Sequence, residues 1–133
     1  LIESEAKRQP IDVALDIHCP YIRDSRIFFA LGSNRTIAAS TTRFCRLLEQ
    51  HQQGSLTYHL EDNLLFGFKW NVPETYAGRR SFWQWAETLP GIRAVATLEV
   101  PYASVGGSTV TPEAARKLGS DLAIALRAFL ETD

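Results

Sequence analysis

The sequence predicts an α/β domain, a sheet sandwiched by helices, on three observations. Two apolar runs rich in β-branched residues, 11–18 and 93–100, are each stopped by a proline, Pro20 and Pro101, which cannot extend a strand's hydrogen-bond ladder. A long amphipathic stretch then follows Thr111-Pro112, a cap with proline at the first helical position. Its apolar set, Ala114, Ala115, Leu118, Leu122, Ile124, Ala125, Leu126 and Phe129, forms one broad face for packing on a sheet.

The 133 residues are enough for one domain, and 45% hydrophobic content with 11% aromatics can fill one core. A formal charge of −1 gives no general attraction to nucleic acid or to an anionic membrane, so a specific site must carry any function. Cys19 and Cys45 do not make a disulfide framework, and no apolar run reaches the roughly 20 residues of a membrane helix. The expected compartment is the cytoplasm. The chain has no methionine, and Leu1 to Arg8 reads as the end of a helix already under way. The expectation is therefore a piece of a longer protein, the upstream part of the same domain being absent.

Within the first strand Val13, Leu15 and Ile17 alternate with Asp12, Ala14 and Asp16. Period two buries the first set and turns Asp16 and His18 the other way. The strand thus delivers an imidazole to its carboxyl end, where ligands and catalytic groups collect in open α/β sheets. Cys19 faces opposite to His18, which argues against their sharing a metal. His18 alone has two readings, a metal ligand or a polar group satisfied by a backbone carbonyl.

Residues 26–31 form a second apolar run ending at Gly32-Ser-Asn34, a short strand and a turn. Asn34 or Thr36 can cap a helix to about Gln52, with Ile37, Thr41, Phe44, Leu47 and Leu48 on one face and Gly54 closing it. Leu56 to Leu60 alternates as a strand does. The stretch 64–72 holds Leu64, Leu65, Phe66, Phe68 and Trp70, too aromatic for an exposed loop. Ser81 can cap a helix from Phe82 to Thr88. His51 and His59 lack acidic neighbours at metal-ligand spacing and read as solvated side chains.

In the later strand Val95 and Thr97 share a face with Glu99. A carboxylate near the end of a buried strand needs a partner or a solvated cleft, because an uncompensated buried charge costs several kcal/mol, on the order of 3–5. An ion pair with Arg79, Arg80 or Arg93 is one way to supply that partner, and a catalytic cleft is the other.

Asp16-Ile-His-Cys-Pro20 and Ala96-Thr-Leu-Glu-Val-Pro-Tyr102, followed by the tail Gly106-Gly107-Ser108-x-Val-Thr111-Pro-Glu-x-Ala-Arg116-x-x-Gly119, resemble the C-terminal part of the zinc carboxypeptidases, the funnelin metallopeptidases, especially bacterial carboxypeptidase-like members. The resemblance covers roughly residues 10–131. It implies a mixed, mostly parallel sheet flanked by helices, of which this chain holds only the C-terminal portion. It implies one zinc ion with His18 as one ligand, Glu99 as the general base and acid, and Tyr76 as the tyrosine over the substrate, with Tyr102 as competitor. Trp83 and Trp85 line the substrate pocket or fill the core, and Asp16 is either an outer partner of the metal ligand or a strand-end charge.

The implied partner is a peptide or acyl-amino-acid substrate with a free carboxylate, with no nucleic acid and no membrane. The family's His-x-x-Glu ligand pair and its carboxylate-binding arginines are expected from the missing upstream segment, so the 133 residues alone should be inactive. Two alternatives stand beside a peptidase: an amidohydrolase of the aspartoacylase and succinylglutamate desuccinylase type, and an inactive peptide-binding domain.

Overall fold

A computed structural model describes residues 2–132 of the chain. In order, a short helix α1 (Ile2–Ala6) leads to strand β1 (Val13–His18), strand β2 (Phe28–Leu31) and helix α2 (Arg35–His51). Two single 3-10 turns, Leu60–Asp62 and Pro73–Tyr76, separate these from helix α3 (Phe82–Ala86) and strand β3 (Ala94–Glu99). A small hairpin, β4 (Ser104–Val105) and β5 (Ser108–Thr109), precedes the last helix, α4 (Pro112–Glu131). The architecture is mixed α/β, a three-stranded sheet of order β1-β3-β2 flanked by helices. β1 pairs parallel with β3 and β2 pairs antiparallel with it.

The central strand is buried along its whole length, as expected for the strand with neighbours on both edges. Its alternation divides the core. Ala94, Ala96 and Leu98 join Phe29 and Leu31 of β2 in one cluster, covered by Phe44, Cys45 and Leu48 of α2 and by Leu118, Ala125 and Phe129 of α4. Val95 faces a second cluster built from Trp83 and Ala86 of α3, Ala6 and Ile37. Where β2 has ended, α2 completes the ladder with a side chain. The Val95 N–H donates to Thr41 Oγ1 at 3.0 Å, and that hydroxyl donates back to the Val95 carbonyl at 3.3 Å.

Asn34, not Thr36, caps α2, its side chain accepting from Thr36 N and Ile37 N. Ser81 and Gln84 close a capping box on α3, and Thr111 Oγ1 accepts from Ala114 N at the start of α4. Between β4 and β5, Gly106 and Gly107 both take positive φ, 54° and 91°, as a two-residue hairpin loop of the primed type demands.

Several expectations are corrected. α4 joins the sheet's core cluster through Leu118, Ala125 and Phe129 and packs closely on α2, but its apolar face is narrower than expected: Ala115 and Ile124 stay exposed, while Asp121 is buried at 1% exposure. Asp121 Oδ2 accepts from Gln53 N and Gly54 N at 3.0 and 2.9 Å, and Lys117 Nζ donates to Oδ1 at 2.8 Å. Gly54 therefore serves close approach to this carboxylate, whereas Gln52 ends α2. Residues 56–60 make only one isolated bridge, Ile27 to Tyr58, because Gln52 takes both backbone groups of Tyr58 with its side-chain amide at 2.8 Å. Ile17 is 63% exposed. It continues the face of Val13 and Leu15, but β1 is an edge strand and the helices that cover that face end short of it. No helix among the described residues is long and apolar enough to cross a membrane.

Candidate active site

The parallel register aligns β1 and β3 so that His18 lies directly opposite Glu99, at the carboxyl ends of both strands. Opposed residues of neighbouring strands, about 4.8 Å apart, turn their side chains to the same face. Asp16 and Thr97 form the preceding pair on that face. On the other side of Glu99, Phe28 of β2 is its antiparallel partner. The ladder runs one step further, the Val100 N–H donating to His18 O at 2.8 Å, and Pro101 then ends it.

The two groups differ in environment. The His18 side chain is solvent-accessible, with Nδ1 3.4 Å from Asp16 Oδ2. The contact lies on the Nδ1 side of the ring, away from Nε2. The partner of Asp16, invisible in the sequence, is thus the histidine two residues on.

Glu99 is only 8% exposed, and its buried Oε2 has no hydrogen-bond partner among the described residues. Burial pushes its carboxyl above the ordinary value, opposed by the facing His18 and reinforced by the negative charges of Asp16 and Asp24. None of the arginines considered as its ion-pair partner takes that role. Arg93 lies against Asp12 at 3.6 Å, Arg80 donates to Thr88, and among the described residues no salt bridge reaches Glu99.

Glu99 is one of the residues that line a cleft of about 820 Å³. One wall comes from the turn after β1, with Tyr21 and Asp24, and the other from Leu65, Phe68, Lys69 and Trp70. The stretch 64–72 is a loop after all, and much of its aromatic surface is exposed because it lines this cleft. These walls escaped sequence reasoning. The available signal was the aromatic run itself, which had no periodicity to give it a partner.

Tyr76 lies elsewhere. Its ring stands edge-on to Trp83 at 5.3 Å, and its hydroxyl donates to Asn71 Oδ1 at 2.8 Å. Neither Tyr76 nor the exposed Tyr102 borders the cleft beside Glu99. Trp83 is core, and Trp85 donates its indole N–H to Glu3 at 2.8 Å. His51, His59 and Cys19 are exposed. Among the described residues no three His, Cys, Asp or Glu side chains converge as a metal site.

No protein-family model, characterised protein or solved structure matches the chain. Function therefore has to be argued from the site itself.

Proposed function

We propose that this chain carries the C-terminal part of a zinc carboxypeptidase-like hydrolase domain, which cleaves the terminal amide bond of a peptide with His18 as a metal ligand and Glu99 as general base and acid. The observation that carries the reading is the pairing of His18 with a buried Glu99, whose Oε2 has no partner among the described residues, at the ends of two adjacent parallel strands. Two unrelated groups have no reason to share that position, and among the described residues no salt bridge reaches Glu99, whose charge only the facing His18 offsets in part.

The residues fit such a metal in part. His18, with Asp16 3.4 Å from its Nδ1, offers one nitrogen. The other ligands come, on this reading, from a segment of the domain outside these residues. When bound, zinc supplies Lewis-acid polarisation and eases deprotonation of water. Glu99 accepts the proton of the attacking water on its carboxylate as the oxygen–carbon bond forms. It then returns that proton to the amine nitrogen as the carbon–nitrogen bond breaks. A carboxyl raised by burial suits both roles, since it holds and releases a proton closer to neutrality than a solvated one.

Metal analysis of the gene product that contains this chain tests the reading. One zinc per polypeptide is expected, lost in His18→Ala and retained in Glu99→Gln. A metal-free wild-type protein, or full zinc content in His18→Ala, rules the assignment out.

A further inference from the structure

We propose that the hairpin of residues 67–71 is a binding arm that receives a bulky apolar side chain of an extended peptide in the cleft beside Glu99, and that Tyr76 positions this arm through Asn71 without touching the substrate. The functional meaning rests on the reading of Glu99 as the reacting group.

Four large hydrophobic side chains that the fold leaves exposed, Tyr21, Leu65, Phe68 and Trp70, border this one cleft. Phe68 is 62% and Trp70 43% exposed, so neither is there to fill the core. Exposed apolar side chains gathered around a recess that polar groups, Glu99 among them, also line mark a ligand site. At about 820 Å³ the cleft approaches the upper end of the range for drug-sized ligands, roughly 300–1,000 Å³. A single acylated amino acid would leave most of its walls uncovered, whereas an extended peptide spans both.

The arm is held with unusual care for a surface loop. Gly67 N–H donates to Asn71 O at 2.7 Å and Asn71 N–H to Phe68 O at 3.0 Å, which closes the hairpin. Its tip, Lys69, is the one non-glycine among the described residues with positive φ, at 50°. Backbone held in this sparsely populated region by its surroundings is characteristic of ligand clamps. The surroundings here are Asn71, fully buried, whose Nδ2 donates to Leu31 O at 2.9 Å and to Leu64 O at 3.2 Å. The Tyr76 hydroxyl occupies Asn71 Oδ1 and so sets which way the amide faces. Hence Tyr76 acts on the cleft at one remove: the amide ties the arm to the end of β2, and the phenol fixes the amide.

The test is calorimetric titration of the gene product that contains this chain with acetyl-Ala-Phe-Ala, acetyl-Ala-Ala-Ala and N-acetylaspartate. The phenylalanine peptide should bind at least tenfold tighter than either competitor. Phe68→Ser and Trp70→Ser, at exposed positions that leave the fold intact, should each reduce that preference to threefold or less. Tyr76→Phe should weaken the peptide at least threefold and shift the amide NMR signals of residues 67–71. Equal affinity for the three probes, indifference to Phe68→Ser and Trp70→Ser, or self-association through the patch that excludes the peptide would overturn the arm. Unmoved amide signals and affinity in Tyr76→Phe would overturn the positioning role. Binding requires neither metal nor turnover, so a failure of the hydrolytic reading shows separately, as absent hydrolysis by the gene product that contains this chain.

Discussion

Replacing Glu99 with glutamine should make the chain more stable at neutral pH, although it removes the group to which the chemistry is assigned. The sign follows from the site. Burial raises the carboxyl above its ordinary 4.5, so the folded state holds that proton more tightly than the unfolded chain does. The stability of the protonated form is fully present below pH 4.5 and is lost as pH rises through the raised folded value. At neutral pH the wild type therefore carries a buried carboxylate with one oxygen lacking a partner, only partly offset by His18. Leaving such a group unsatisfied costs about 1–3 kcal/mol, and a neutral amide that still lacks one partner should recover about 1–2 kcal/mol of it. For a domain of this size that corresponds to a rise of roughly 3–8 °C in melting temperature. Urea denaturation of both proteins at pH 7.5 and at pH 4 is the assay. The glutamine variant should be the more stable at pH 7.5, and the difference should close at pH 4. A variant no more stable than wild type at pH 7.5 would mean that Glu99 has a structural partner, and the case for a poised base would fall with it.

Further consequences follow from the same structure. Thr41→Val keeps the shape of the side chain but strands the Val95 N–H and carbonyl past the end of β2. It should cost about 2–3 kcal/mol in chemical denaturation, and a loss under 0.5 kcal/mol would show that the hydroxyl is dispensable to the sheet. Asp121 is affected first by burial, which opposes ionisation, but Lys117 and the amides of Gln53 and Gly54 together outweigh it and hold its carboxyl below the ordinary range. Its stabilisation is present above the unfolded value of 3.8 and disappears as pH falls through the folded one. Asp121→Asn should accordingly lose about 2–3 kcal/mol at pH 7 and less below pH 3.8, and a deficit that stays constant with pH would exclude the ionic contribution.

The parts of the fold that were legible in the sequence are those with a local cause. β1 and β3 announce themselves by β-branched runs ended at proline, and α4 by Thr111-Pro112 and a 3.6-residue apolar repeat. What the sequence could not give depends on neighbours distant along the chain. Residues 56–60 have a strand's alternation, yet Gln52 satisfies Tyr58 before any strand can. Ile17 has the right face but sits where the core has run out. Asp121 looks like a solvated helix charge until Gly54 is folded against it. For the site, periodicity placed His18 and Glu99 each at a strand end, but only the parallel register makes them neighbours. The cleft walls were the least accessible, because an aromatic loop carries no repeat and its shape is set by one buried asparagine.

The most direct measurement is the rate at which the gene product containing this chain hydrolyses an acetylated tripeptide, in the wild type and in Glu99→Gln, with zinc content determined on the same samples. A positioned base that carries a proton in both halves of the reaction contributes typically 10²–10⁴-fold. The account predicts a fall in kcat of at least about 100-fold with zinc content unchanged. A glutamine variant that turns over within threefold of the wild type would contradict it.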